Sequence, residues 1–141
     1  GILEDTKKIG AHFLSGGTIP NTPGYFFPPT LVTDIDENSR LVQEEQFGPI
    51  VPILKYKNVE DAIRRANNTP YGLSGSVWSN DRERAIKIAK RLRVGTAWVN
   101  QHRATSAYVP FGGAKESGIG RQYSILGLKG YMEPEVLSVV K

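Results

Sequence analysis

The feature that most constrains this chain is an alternation of apolar strand candidates with amphipathic helix candidates through its middle. The strand candidates are residues 50–56, 73–79 and 96–100. Between them, apolar residues recur at helical spacing in residues 58–67 and again after Asn80. Strands and helices that alternate over short connections predict parallel pairing with right-handed crossovers. The chain is therefore predicted to be an α/β domain, a class that usually binds ligands at the carboxyl ends of its strands.

Local signals mark the ends of these elements. Asn58 is placed to cap the first helix, and Asn80 the second, with Glu83 at capping-box spacing. Gly95 is a natural stop for the second helix. Pro52 cannot donate a ladder hydrogen bond, so the first strand candidate is predicted either to lie at an edge or to begin irregularly.

Weaker patterns flank this region. Residues 2–9 indicate a helix end, and residues 11–15 and 30–35 indicate short strands. Residues 136–140 form a final strand candidate. A strand at that place either pairs with another domain or subunit or closes the sheet of its own chain.

The absence of cysteine bounds the chemistry of the chain. The 141 residues include no cysteine and two histidines, His12 and His102, so neither a thiol nucleophile nor a metal site is predicted. Nothing indicates an oxidising compartment, and no apolar run is long enough to span a membrane. We therefore expect a cytoplasmic protein that does not associate with membranes.

The net charge of +4 is compatible with nucleic-acid binding but does not by itself indicate it. The densest basic group has helical spacing and is predicted to be a solvated helix face: Arg82, Arg84, Lys87, Lys90, Arg91 and Arg93. No reading motif or aromatic platform accompanies it, so nucleic-acid binding is the weakest hypothesis.

The glycine-rich segment near residue 115 does not complete a nucleotide-binding motif. Gly118 and Gly120 begin a dinucleotide fingerprint, but Tyr123 stands in place of its third glycine. Residues 113–118 have the glycine spacing of a phosphate loop, but Ile119 and Gly120 replace the required lysine and hydroxyl residue. Spacing and composition alone therefore predict an α/β domain and indicate no function.

Three motifs go further. Residues 43–49 read QEEQFGP, residues 66–73 read ANNTPYGL, and residues 110–118 read PFGGAKESG, with GTAWVN at residues 95–100. In order and spacing these motifs resemble the EE-x-FGP, AN-x-x-x-YGL and PFGG-x-K-x-SG segments of the aldehyde dehydrogenase superfamily. The resemblance covers essentially the whole chain.

The resemblance implies a place in a longer NAD(P)-dependent oxidoreductase. Residues 1–130 would form the C-terminal part of the catalytic domain, about half of that domain, as a partial three-layer sheet with parallel strand-helix-strand units. Residues 131–141 would form a terminal oligomerisation strand, giving a homo-oligomer. The cofactor is NAD or NADP, and the resemblance chooses neither that cofactor nor the aldehyde.

The family mechanism uses a cysteine thiolate that attacks a small-molecule aldehyde, and hydride then passes to the nicotinamide. An amide and a backbone N–H stabilise the oxyanion, and a glutamate activates water to release the carboxylic acid. The resemblance places these groups before Gly1. No catalytic residue is therefore expected in this chain, and the chain alone is predicted to be inactive. The alternative is a non-catalytic interaction or oligomerisation module derived from the fold.

Two residues match cofactor-binding positions of the family. Glu45 matches the glutamate that hydrogen-bonds the nicotinamide ribose, and a carboxylate suits two ribose hydroxyls. The alternative is a turn or cap carboxylate beside Glu44. Phe47 matches the aromatic residue near the nicotinamide, with an ordinary core residue as the alternative.

Substrate contacts are expected after the third strand candidate. Phe111 matches an aromatic residue of the aldehyde pocket, or else it positions the following glycine turn. Gln101, Arg103 and Thr105 lie where family members vary with substrate. Arg103 either attracts an anionic aldehyde or is a solvated surface charge. Other polar side chains are assigned structural roles: Asn100 bonds the loop backbone, His102 is structural rather than catalytic, and Lys115 and Arg121 anchor loops or form ion pairs.

Overall fold

A computed structural model describes all 141 residues, which divide into two compact units, Gly1–Lys57 and Asn58–Lys141. The first unit contains α1 (Ile2–Lys8), β1 (His12–Ser15), β2 (Thr30–Thr33), α2 (Arg40–Gln43) and β3 (Ile50–Pro52). The second contains α3 (Val59–Asn67), β4 (Tyr71–Gly72), β5 (Ser74–Val77), α4 (Arg82–Ala89), β6 (Thr96–Val99), β7 (Ala114–Lys115) and α5 (Ser124–Lys129). The α/β class predicted from the sequence is confirmed.

The first unit is a three-stranded sheet in the order β1-β2-β3. β1 is antiparallel to β2, and β2 is parallel to β3. β3 lies at the edge, which confirms the position predicted from Pro52. The core of the unit is aliphatic and consists of Leu3, Val32, Ile35, Leu41 and Ile50.

The second unit contains the predicted strand-helix-strand arrangement. β5 and β6 pair in parallel, with Ser74 opposite Thr96 and Val77 opposite Val99, and α4 connects them. β4 and β7 form a separate antiparallel pair. The predicted helix before β4 is confirmed, because the Asn58 side chain accepts a hydrogen bond from the Asp61 amide at 2.9 Å.

The strand predicted at residues 50–56 joins a different partner from the one the alternation suggested. It contains only Ile50–Pro52, and it pairs with β2 rather than with the strand that follows α3. The Ile53 amide donates to the Val32 carbonyl at 2.7 Å and extends this contact. The apolar pattern predicted a strand here, although Val51 and Ile53 are 52% and 41% exposed, and its ladder partner depends on which other edge is available.

The predicted N-cap and the predicted C-terminal end of α4 are both wrong. The N-cap is Asp81, whose carboxylate accepts from the Arg84 amide at 2.9 Å, rather than Asn80. An aspartate also places negative charge at the positive end of the helix dipole. The helix ends at Ala89, well before Gly95. Arg82, Arg84 and Lys87 are exposed on α4 while Ala85 and Ala89 are buried, as a solvated helix face requires. The other three basic residues of the predicted face, Lys90, Arg91 and Arg93, are exposed but lie beyond the end of the helix.

The final strand predicted at residues 136–140 does not form. Residues 133–141 lie outside any helix or strand, and Val136, Leu137 and Val140 are 87%, 88% and 94% exposed. A strand needs a neighbouring ladder for its amide and carbonyl groups, and this chain offers none at that position. No helix of the chain has the length and apolarity that crossing a membrane requires.

Candidate functional site

The segment after α2 contains two adjacent glutamates with different surroundings. Arg40 donates to both carboxylate oxygens of Glu44, at 2.7 and 3.0 Å, and to Asp5 at 2.5 Å. The side chain of Glu45 is exposed and forms no hydrogen bond or ion pair within the chain. Of the two carboxylates, Glu45 is therefore the one available to a ligand, and it does not act as a cap.

Phe47 is 97% exposed, so it does not belong to the core of the first unit. The loop around it is nevertheless held at both ends, because Leu41 before it is 2% exposed and Ile50 after it is 6% exposed. The Gln46 side-chain amide donates to the Ile50 carbonyl at 3.0 Å. The fold thus presents an exposed ring on an anchored loop, beside the unpaired Glu45.

The Arg40 cluster predicts how acid affects the first unit. Hydrogen bonds from Arg40 hold the pKa of Asp5 below its ordinary 3.8 and the pKa of Glu44 below its ordinary 4.5. A lowered folded-state pKa adds stability above the ordinary value, and this stability is lost as the pH falls through the folded-state pKa. We expect the urea midpoint of Arg40→Gln to fall less on acidification below pH 4.5 than that of the unmodified chain. Lys57→Gln, which removes a cation outside the cluster, should keep the original slope, and equal slopes for all three proteins would contradict the prediction.

In the second unit the family-like motifs pack against one another through the backbone. The Lys115 ammonium donates to the carbonyls of Asn67 and Thr69 at 2.9 and 3.0 Å. The Ser117 hydroxyl accepts from the Gly72 amide at 2.8 Å. These contacts confirm Lys115 as a loop anchor and bring residues 66–73 beside residues 110–118.

Two asparagine side chains fasten loops in the same unit. Asn100, at φ +52°, accepts from the Ser79 amide and donates to the Ser79 carbonyl, both at 2.8 Å. Asn67 donates to the Arg91 carbonyl at 3.0 Å and accepts from the Arg93 amide at 2.7 Å. Asn100 was predicted to bond the loop that follows it, but it holds the loop after β5 instead. The anchoring role of Asn67 was not predicted from the sequence.

A cleft of about 340 Å³ opens beside β6 and the loop after it. Gln101, Thr105 and Phe111, three of the four predicted substrate contacts, line it together. Arg103 does not line it, and its side chain is exposed on a residue at φ +57°. The rest of the lining comes from β6 and the loop: Thr96, Ala97, Trp98, Ala104, Ser106, Val109 and Pro110.

Trp98 is an aromatic lining residue of this cleft that was not predicted from the sequence. Its indole N–H donates to the Ala104 carbonyl at 2.9 Å, and this bond holds the loop after β6 against that strand. The His102 ring meets the indole edge-on at a centroid distance of 5.3 Å, as a structural histidine would. Its position in the sequence could have indicated this role. A tryptophan on a strand that leads into a ligand loop needs a hydrogen-bond acceptor for its indole N–H, and the loop backbone can supply one.

Both interpretations of Phe111 have support in the structure. Its ring lines the cleft, and its backbone forms a bridge with Gln122 through hydrogen bonds of 2.9 and 2.7 Å. Arg121 donates to the Gly113 and Gly120 carbonyls at 2.8 and 2.6 Å, which confirms it as a loop anchor. Phe111 also borders a second cleft of about 720 Å³ between the glycine-rich loop and α5. No group of three or more histidine, cysteine, aspartate or glutamate side chains is arranged to hold a metal ion.

The sequence profile described as "Aldehyde dehydrogenase family" matches residues 1–137. The chain belongs to the aldehyde dehydrogenase family. Aldehyde dehydrogenase 1A1 of Oryctolagus cuniculus is 41% identical over 138 residues, which are 98% of this chain and 28% of that protein. Retinaldehyde dehydrogenase 3 of Rattus norvegicus is 42% identical over 138 residues, again 98% of this chain, and 27% of that protein.

Solved structures of the family have the same fold. An aldehyde dehydrogenase from Bacillus cereus in complex with NAD+ matches with a TM-score of 0.87 at 40% identity, over 93% of this chain and 27% of that one. An aldehyde dehydrogenase from Mycobacterium tuberculosis complexed with NAD+ matches with a TM-score of 0.85 at 40% identity, over 91% of this chain and 27% of that one. The chain thus spans about a quarter of the length of these relatives.

Proposed function

We propose that this chain is the C-terminal part of an NAD(P)-dependent aldehyde dehydrogenase that oxidises a small-molecule aldehyde to a carboxylic acid. In that enzyme it supplies cofactor and substrate contacts. The observation that carries the proposal is the cleft that Gln101, Thr105 and Phe111, the substrate contacts implied by the family resemblance, line together. Residues 1–130 belong to the catalytic domain in this proposal, and residues 131–141 to the oligomerisation element.

The cofactor contacts are consistent with the chemistry of Glu45 and Phe47. An unpaired exposed carboxylate offers acceptors for two ribose hydroxyls, and an exposed ring offers an apolar face to a nicotinamide. The bound cofactor accepts the hydride. Arg40 engages Glu44, so Glu45 alone supplies this acceptor.

The chain contains no cysteine, so it supplies no thiolate nucleophile. We therefore propose that the isolated chain oxidises no aldehyde with either NAD or NADP. The exposed tail, with Val136 and Leu137 at 87% and 88% exposure, supports a contact with another subunit and hence a homo-oligomer. The same tail favours the second candidate function, a non-catalytic interaction module.

The test compares two adjacent carboxylates in the full-length dehydrogenase that contains this chain. Glu45→Gln should raise the KM for the cofactor by about tenfold or more, because charge-assisted hydrogen bonds contribute about 1.5–3 kcal/mol. Glu44→Gln is the matched control and should leave that KM within about twofold. Reduced cofactor is followed by its absorbance, and the isolated chain is assayed beside it.

Three results would reject parts of this proposal. Equal cofactor KM values for the two variants would remove the role of Glu45. Aldehyde oxidation by the purified 141-residue chain would overturn the argument from the missing thiol. Coding DNA upstream of Gly1 that lacks an in-frame cofactor-binding region and a cysteine would leave the interaction module as the better assignment.

A further inference from the structure

The cleft beside β6 has no charged lining. Its ten lining residues are apolar or neutral, and Arg103, the nearest cation in sequence, is not among them. Burying a carboxylate in such surroundings costs free energy, because it loses water without gaining a cation. The cleft therefore disfavours a substrate chain that ends in a charged group.

The polar groups of the cleft are neutral, and three of them lack a partner, whereas the Ser106 hydroxyl accepts from the Tyr108 amide at 3.3 Å. The side chains of Gln101 and Thr105 form no hydrogen bond within the chain. The Thr96 hydroxyl is buried without a partner on the β6 side of the cleft. The Gln101 and Thr105 side chains are exposed, so they can hydrogen-bond a ligand in the cleft. Buried polar groups are almost always satisfied, so the unpaired Thr96 hydroxyl points to a partner supplied by a ligand or a water molecule.

Apart from Ser106, the remaining lining residues are apolar or aromatic. The Trp98 N–H is already bonded to the Ala104 carbonyl, so its ring presents carbon to the cleft. Phe111, Val109 and Pro110 complete an apolar wall. An apolar wall with a few convergent polar groups is the usual design of a small-molecule site.

We propose that this cleft selects an uncharged substrate chain that carries a hydroxyl, carbonyl or amide group within reach of Gln101 and Thr105. This inference rests on the proposed function, since it names the class of aldehyde. A site built to hydrogen-bond a polar group discriminates strongly against analogues that leave its own groups unpaired.

The test uses the 141-residue chain with Trp78→Phe. Trp78 is 65% exposed and Trp98 is 6% exposed, so this change leaves the cleft tryptophan as the only one. Three six-carbon probes are titrated at one pH and ionic strength while Trp98 emission is followed: hexanamide, hexanoate and hexylammonium. Hexanamide should cause a saturable change with a Kd about tenfold lower than either ion, and the two ions should differ little.

Three further variants distinguish binding in the cleft from effects of its surroundings. Thr105→Lys places a cation on the lining and should reverse the preference toward hexanoate. Arg103→Gln removes the cation outside the lining and should leave the preference unchanged. Gln101→Leu should weaken hexanamide binding by about three- to tenfold. Far-ultraviolet circular dichroism confirms that each variant keeps the fold.

Several results would overturn the inference: tighter hexanoate binding that Arg103→Gln abolishes, tighter hexylammonium binding, or no saturable change with any probe. Turnover by the full-length dehydrogenase is measured separately. A neutral preference without aldehyde oxidation would reject the dehydrogenase assignment and keep the chemistry assigned to the cleft.

Discussion

Gly95→Ala is expected to destabilise the second unit by about 3 kcal/mol or more, at the top of the range for overpacking. A Cβ at Gly95 would lie 1.6 Å from the Gly112 carbonyl oxygen and 2.8 Å from its carbon. Both atoms belong to the backbone, so no side chain can rotate away. The Gly95 amide also donates to the Gly72 carbonyl at 2.9 Å, which restricts movement of the strand.

The matched control is Gly118→Ala in the same glycine-rich region. Its nearest contacts would be the Gly113 nitrogen at 3.5 Å and Cα at 3.7 Å, which are ordinary van der Waals distances. This variant should stay within about 1 kcal/mol of the unmodified chain, since a compatible Gly→Ala change restricts the unfolded chain and stabilises slightly. Urea unfolding followed by Trp98 emission measures both in the Trp78→Phe background. Coincident midpoints for the two variants would show that the β6 and Gly112 backbones are not in close contact.

Leu41→Ala is expected to cost the first unit about 2–5 kcal/mol, the range for emptying a well-packed aliphatic site. Leu41 is 2% exposed and packs in the core cluster with Leu3, Val32, Ile35 and Ile50. It lies on α2, one turn before Glu44 and Glu45. The loss would therefore also loosen the segment that presents Glu45 and Phe47.

Leu14→Ala is the control for the same chemical change at a surface site. Leu14 is 54% exposed on β1, so its truncation should change stability by about 0.5 kcal/mol or less. Urea unfolding by circular dichroism, with hydrogen exchange of the amides in residues 44–50, measures the effect. A Leu41→Ala variant as stable as Leu14→Ala, with unchanged exchange, would remove α2 as the support of this segment.

Several helices, caps and strands could be predicted from the sequence because interactions between residues close in sequence determine them. The helix Val59–Asn67 and its cap at Asn58 follow from spacing and one side-chain oxygen. The edge position of Pro52 follows from its missing N–H. The cap of α4 was misplaced by one residue, because Asn80 and Asp81 are both good caps and the entry of the chain decides between them.

Which strands pair with each other, and which loops contact each other, could not be predicted from the sequence. β3 pairs with β2 although the alternation pointed to the following strand, and residues 136–140 remain unpaired. Gly95 was predicted as a helix stop, yet it is needed because its backbone closely approaches that of Gly112. Such contacts join positions far apart in sequence, so no local pattern records them.

The sequence by itself determined the family, the α/β class and the absence of a thiol nucleophile, because motif residues and composition are properties of the chain alone. Folding was needed to show which of the two adjacent glutamates is unpaired, since that depends on where the Arg40 side chain lies. Folding also shows that Gln101, Thr105 and Phe111 share one cleft that Arg103 does not line. Side-chain direction follows from loop geometry, which the Trp98 bond to the Ala104 carbonyl helps to hold in the loop after β6.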